Sequence, residues 1–477
     1  MERLYDQLKE YSAQDYYGFH MPGHKRNQGF MGIDLPYEID ITEIDGFDDL
    51  HHADGILKEA QKRAARVFGA DETHFLVNGS TVGILSAVLG CTKRGNKILI
   101  ARHCHKSVYH AVYLNGLVPR YVYPEFDGSV HMNGEIRKED VERALKEEPD
   151  ICAVVVVSPN YDGVVSDVKA IADICHSRGI PLIVDEAHGA HFGFHPAFPG
   201  RANSLGADVV INSLHKTLPS LTQTALLHIN GGLVNREKIR KHLDMLQSSS
   251  PSYVFMASLD ACVDFLDGDP CREAFDRYVR NLKNLRSRLG ELTHLRLLEM
   301  EHYDPSKLVI STAKTDLTSY ELYEKLLRDY HLQMEMVGGT YVLGMTSVAD
   351  TEEGMNRLAE ALEEVDTFLN GGLEKQQEAA EEASGLRGEL PRQVQVLTPY
   401  EAALKEEKSE VEAISWRESE GRIALEYAYL YPPGSPVIVP GERISREAVE
   451  LLTYYDEQKL RIEGIRTEGI IKVWRNE

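Results

Sequence analysis

Two side chains of this sequence are suited to one piece of chemistry. Lys216 closes Asn212-Ser213-Leu214-His215-Lys216 just after the apolar run Val209-Val210-Ile211, and Asp185 opens Asp185-Glu186-Ala187-His188-Gly189 after another apolar run. A lysine at the mouth of a parallel sheet can hold an aldehyde cofactor as a Schiff base, and an aspartate at a neighbouring strand end can keep a pyridine nitrogen protonated. Together they read as a pyridoxal 5'-phosphate site, an electron sink for carbanion chemistry. A surface lysine and a solvated aspartate at two strand ends is the competing reading, and the neighbours weigh against it.

A phosphate needs backbone N–H donors and hydroxyls at a helix N-terminus, where the dipole also favours an anion. Asn78-Gly79-Ser80-Thr81-Val82-Gly83, entering the helical run 84–89, supplies them, although a Gly-Ser-Thr sequence is also a common helix cap. Ser213 and His215 flank Lys216 and would close the other side of the phosphate. His105, just past the run 97–101, could lie on one face of the cofactor ring with Ala187 on the other. Histidines crowd these segments, so a metal site built from His103, Cys104, His105, His188 and His191 is the rival. It leaves Lys216 and the Gly-Ser-Thr turn without a role, and no metal is expected.

These residues need a scaffold that gathers them. From about residue 55 to 230 helical patterns alternate with short apolar runs at 97–101, 152–157, 181–184, 209–211 and 226–229. Such runs read as buried parallel strands sandwiched by helices. A polar or Gly-rich segment follows four of them, at the carboxyl ends where open α/β sheets bind ligands. The expected organisation is an N-terminal segment and large α/β domain over 1–271, a smaller α+β domain over 272–372, a linker over 373–390, and an α+β appendage over 391–477. In the appendage, Tyr431-Pro432-Pro433-Gly434-Ser435-Pro436 should turn the chain into the strand 437–439.

The totals exclude several classes. A chain of 477 residues is too long for one core, and 43% hydrophobic with 27% charged residues is ordinary for a globular protein. A net charge of -23 argues against binding nucleic acid or an anionic membrane surface. The six cysteines are scattered with no Cys-x-x-Cys pair, and no apolar run has signal-peptide or membrane-spanning length, so a reducing, cytoplasmic location is expected.

The blocks Phe19-His20-Met21-Pro22-Gly23-His24-Lys25, Asp48-Asp49-Leu50-His51-His52, Val77-Asn78-Gly79-Ser80-Thr81, Cys104-His105-Lys106-Ser107, Asp185-Glu186-Ala187-His188 and Ser213-Leu214-His215-Lys216-Thr217 resemble, in this order, the bacterial ornithine/lysine/arginine decarboxylase family of fold type I. Ser250-Pro251-Ser252-Tyr253, Tyr431-Pro432-Pro433-Gly434 and Pro440-Gly441-Glu442 extend the resemblance along the chain.

The resemblance implies a fold type I large domain with a mostly parallel seven-stranded sheet and a pyridoxal 5'-phosphate cofactor. It implies that Lys216 anchors the cofactor, Asp185 pairs with its ring nitrogen and His105 stacks on the ring. Gly79, Ser80, Thr81, Ser213 and His215 would hold the phosphate, and Lys216 or His188 would return a proton to the α-carbon. Sites of this type lie at a homodimer interface, so the loop 248–252 is expected to reach the partner's cofactor. Larger family members begin with a flavodoxin-like wing domain; a chain opening at Phe19-His20-Met21 is expected to lack that assembly route. Where some members carry Trp, His188 makes the pocket wall more polar. Glu335 aligns with a glutamate that resembles the acceptor for a substrate's distal cation, with Asp48, Asp49 and Glu442 as weaker candidates. The implied reaction is decarboxylation of a basic amino acid, with arginine to agmatine favoured over lysine or ornithine. An aminotransferase, a carbon-sulfur lyase and a silent regulator of a decarboxylase are the alternatives.

Overall fold

The computed structural model describes residues 3–14, 19–128, 132–369, 389–430, 434–457 and 461–475. The linker expected over 373–390 lies almost wholly outside these residues, as do Tyr431, Pro432 and Pro433 of the expected turn.

Its centre is a seven-stranded sheet in the order Glu72–Leu76, Ala225–Ile229, Val209–Ser213, Leu182–Asp185, Ile151–Val157, Lys97–Ala101, Val118–Val122. In the strand Ala225–Ile229 the buried side chains alternate between two cores, Leu226 packing with Phe75 and Val77 on one face and Ala225, Leu227 and Ile229 with Leu76 on the other, while the apolar residues of the central parallel strands all belong to the second core. That period of two, with both faces covered, produces uninterrupted apolar runs.

One expectation is corrected. The strand Ala225–Ile229 runs antiparallel to both its neighbours instead of parallel to them. The chain returns to it from Lys216 through the short segment 218–224, and a parallel return would need a crossover of about a dozen residues or more. The reversal lets Ser213 and Ala225 face each other in register, which closes the loop beside Lys216.

The helix Gly79–Cys91 is apolar almost all round because it is buried, with Val82, Ile84, Ala87 and Val88 inside. Gly83 sits so close to the sheet that a Cβ there would come within 2.6 Å of Leu76 Cδ1. Gly79 starts the helix at φ +72°, a left-handed conformation that suits glycine. Two glycines thus set where the helix begins and how near it lies to the strands.

The continuous helix Asp269–Gly290 leads to a second, antiparallel sheet in the order Arg296–Leu298, Lys307–Ser311, Tyr341–Met345, Met336–Val337. Beyond residue 389, the strand Val411–Ser415 pairs with Ile470–Trp474, and the helix Arg446–Glu457 packs on a small core that includes Trp416, Ile438 and Val473.

This last unit is tied to the large sheet by a buried ion pair. Arg102, just past the strand Lys97–Ala101, donates from Nη2 to Glu442 Oε2 at 3.0 Å and to the Val437 carbonyl at 3.0 Å. Both side chains are fully buried, and Glu442 also accepts from Gln393 and from the Val439 amide. Glu442 is therefore a structural carboxylate, and its expected reach toward a substrate is withdrawn. Arg102→Met strands the buried carboxylate and should cost about 3–5 kcal/mol, most of it recovered in the double variant with Glu442→Met. Urea unfolding of the three proteins measures this; an equal loss in the double variant would contradict it.

Candidate active site

The carboxyl ends of the central strands open into a cavity of about 650 Å³. Its wall contains nearly every residue singled out from the sequence: Gly79, Ser80, Thr81, His105, Asp185, Ala187, His188, Ser213, His215, Lys216 and Glu335. Asp185 ends the strand next to the one that delivers Lys216, with Asp185 opposite Ile211 in parallel register. Adjacent strands therefore place the carboxylate and the amine on one rim.

At one end of the cavity are hydroxyls and a helix start. Ser80, in the first turn of Gly79–Cys91, and Ser213, at the end of its strand, have Oγ atoms 2.5 Å apart. The Asn78 side chain is turned away to accept the Ser248 amide, so it does not cap the helix it precedes. His215 donates from Nδ1 to the Thr224 carbonyl at 2.9 Å, which fixes the imidazole at the same end.

Asp185 lies in the floor. Its Oδ1 accepts the Ala187 amide at 3.1 Å, and burial raises its carboxyl above the ordinary range against the opposing pull of the Lys216 cation. His105 is the N-cap of the helix Lys106–Leu114 and accepts at Nδ1 from Ser107 Oγ, 2.8 Å away. Burial, with the charges of Lys216 and Lys106, lowers it to about 4. A neutral, edge-anchored ring therefore lines the cavity, as Ala187 does.

Lys216 is itself depressed by burial, with Asp185 and Glu335 pulling the other way. Its Nζ lies 2.9 Å from His188 Nε2. His188 is buried and packs edge-on against Tyr161, ring centroids 4.6 Å apart, and the Tyr161 hydroxyl donates to Glu335. Glu335 is exposed at the mouth, on the segment whose amide pairs with the Leu343 carbonyl.

Asp48 and Asp49 are corrected along with Glu442. The Asp48 carboxylate accepts the amides of Asp54, Gly55, Leu57 and Lys58 at the start of the helix Ile56–Phe68, and Asp49 holds His51 and His52. These are caps and turns outside the cavity wall. His191, of the rival metal constellation, bonds through Nε2 to Asp304 at 3.1 Å, and among the described residues no group of three His, Cys, Asp or Glu could hold a metal ion.

The sequence reading missed Lys307. It is fully buried at the start of the strand Lys307–Ser311, and its Nζ lies 2.9 Å from His188 Nδ1. Burial lowers it to about 8. In the sequence it is one lysine before an apolar run, and the only available signal was a charge where a strand begins. Tyr161, in the loop after the strand Ile151–Val157, was also missed.

The donor set fits a phosphorylated pyridine aldehyde at every point. Hydroxyls and helix amides suit the phosphate, a buried carboxylate suits a protonated ring nitrogen, and a depressed lysine suits the aldehyde.

A sheet with one reversed strand, bearing this lysine and aspartate at its carboxyl edge, defines an enzyme of fold type I. The chain belongs to the Orn/Lys/Arg decarboxylase family: a model described as its major domain matches residues 3–324, and one described as its C-terminal domain matches residues 386–468. A protein named arginine decarboxylase from Bacillus subtilis is 33% identical over 476 residues, covering 97% of this chain and 95% of its own. Lysine decarboxylase LdcA from Pseudomonas aeruginosa is 26% identical over 94% of this chain and 75% of its own. The crystal structure of the Francisella novicida lysine decarboxylase superposes with a TM-score of 0.84 at 20% identity, covering 99% of this chain and 81% of that one. An alanine–glyoxylate aminotransferase from Nostoc sp. shares the fold at a TM-score of 0.53 over 65% of this chain.

The buried imidazoles make stability depend on pH. Burial lowers His103 to about 4 and His228 to about 3, so each binds a proton more readily when unfolded. Their contribution is complete above the unfolded value near 6.5 and is lost as pH falls toward 4, at about 2 kcal/mol each by pH 5. Denaturant midpoints at pH 7 and pH 5 test this: stability should fall, and His103→Asn should flatten the slope.

Proposed function

We propose that this protein is a pyridoxal 5'-phosphate-dependent decarboxylase that converts L-arginine to agmatine and carbon dioxide in polyamine biosynthesis. The observation that carries the reading is the Lys216 amine, depressed by burial, on the strand end next to Asp185 in one cavity. When bound, the cofactor supplies an aldehyde that captures amino groups and a protonated ring that draws electrons from the α-carbon as carbon dioxide leaves.

The chain's residues do the rest. Gly79, Ser80, Thr81, Ser213 and His215 would hold the phosphate, and His105 and Ala187 would flank the ring. Asp185 would hold a proton on the ring nitrogen; the ion pair favours both charges and offsets the burial that raises the carboxyl. Lys216 would anchor the aldehyde, and its amine, 2.9 Å from His188 Nε2, would form with that imidazole the pair that handles the proton of the α-carbon.

Glu335, oriented by the Tyr161 hydroxyl, would receive the distal cation. A carboxylate takes guanidinium through two bonds or ammonium through one, so the site admits several basic amino acids. Arginine is favoured because relatives at 33%, 33% and 32% identity are named arginine decarboxylase, whereas those named lysine decarboxylase stand at 26% and 23%. The working form is a homodimer with the loop 248–252 reaching the partner's site, in the cytoplasm.

Supplying cofactor with arginine, lysine or ornithine and identifying the amine tests the proposal. Agmatine with equimolar carbon dioxide is expected from arginine; cadaverine alone would reassign the substrate, and no amine would end the reading. Lys216→Ala should abolish both turnover and the visible absorbance of bound cofactor. Asp185→Ala should lower kcat by about a hundredfold or more, as expected when a preorganised charge is removed. Glu335→Gln should raise KM for arginine about tenfold with little change in kcat, the pattern of lost uniform binding.

A further inference from the structure

His188 stands between two lysines. Lys216 Nζ is 2.9 Å from Nε2, and Lys307 Nζ is 2.9 Å from Nδ1. A neutral imidazole offers one N–H and one lone pair, whereas an ammonium group only donates. Two ammonium groups therefore cannot both bond to the neutral ring. Burial, together with the Lys307 and Lys216 cations, holds His188 well below its ordinary value, so the ring is neutral and one lysine must accept.

The surroundings decide which. Lys307 is fully buried, yet the carboxylates of Asp304, Asp162 and Glu335 all favour its charge. Asp304 is ionised: burial alone would raise its carboxyl, but His191 and Ser306, which bond to it at 3.1 and 2.7 Å, keep it below the ordinary range. The Lys307 Nζ also lies 5.5 Å from the centroid of the Tyr161 ring, whose face attracts a cation. Tyr303, near the same group, stays a neutral phenol because burial raises it well above its ordinary value. Lys216 faces Asp185 and Glu335. Burial raises the Asp185 carboxyl, so Asp185 holds a cation less firmly than Asp304 does; that Lys216 is the amine for the aldehyde is the proposal above, on which this inference rests. The other imidazoles acting on His188, His105 and His215, are both lowered by burial and add no competing charge.

We infer that Lys307 is a positioning residue: its ammonium donates to Nδ1 of His188, which places the ring hydrogen on Nε2 and directs it at Lys216 as a free amine. The acidic side chains around Lys307 thus set the protonation of Lys216, through one imidazole. Lys216 then meets an aldehyde with its lone pair available, and Nε2–H is the donor beside it.

The full-length, cofactor-free protein tests this. With ¹⁵N-labelled histidine and His188→Asn to assign the signals, His188 should show a protonated Nε2 and an unprotonated Nδ1 at neutral pH. A protonated Nδ1 would overturn the inference, and this readout needs no variant of Lys307. Acetylation of Lys216 by acetic anhydride, followed by peptide mass spectrometry, is the second readout. Lys307→Met should raise its pH midpoint by about one unit, slowing the reaction about tenfold below that midpoint, and Lys307→Arg should restore it. Equal rates in wild type and Lys307→Met would refute the assignment. Neither measurement requires cofactor or turnover, so its failure is distinct from a failure to form amine product.

Discussion

Everything at this site depends on keeping one lysine amine poorly solvated while leaving it reachable. In water Lys216 would carry a proton and be inert toward carbonyl groups; burial disfavours the charged form and exposes the lone pair. The same dryness would make Asp185 a costly residue unless a cation arrived to pair with it, since burial raises its carboxyl. A cavity holding an amine whose charge burial disfavours and a carboxylate whose charge it also disfavours has its chemistry half assembled. On the proposed reading, a phosphorylated pyridine aldehyde would complete both halves.

The scaffold meets this demand through sheet topology. Parallel strands carry their loops to one edge, and the single reversed strand Ala225–Ile229 closes that edge beside Lys216 without a long crossover. The antiparallel sheet contributes Met345 and, just before another strand, Glu335 to the wall, with Lys307 behind His188, so the cavity is a joint between two sheets. The third unit does not line the chemistry with its acid Glu442; that carboxylate holds Arg102, and Ser435 donates to the neighbouring His103 carbonyl.

What the sequence made legible follows from burial. Central strands covered on both faces must be apolar throughout, so the runs near 97–101, 152–157, 181–184 and 209–211 could be read directly. The strands Glu72–Leu76 and Val118–Val122 could not, because they are the two edges of the sheet and mix Glu, Thr, His, Pro and Arg with apolar residues. The site residues carried on strand ends were legible because the helix-strand alternation fixes where each strand end lies. Lys307 was not, since its contact with His188 joins residues far apart in sequence across two sheets. Asp48, Asp49 and Glu442 show the converse: an acidic residue in a promising block can be occupied with backbone amides or a buried guanidinium, and only the contacts reveal it.

The central claim is that the amine of Lys216 is the group that takes the cofactor's aldehyde. Borohydride reduction of the protein loaded with pyridoxal 5'-phosphate, followed by peptide mass spectrometry, addresses it directly. One phosphopyridoxyl mass addition per chain, located on Lys216, is expected. Its appearance on Lys106 or Lys307 with Lys216 unmodified, or no addition at any lysine, would contradict it.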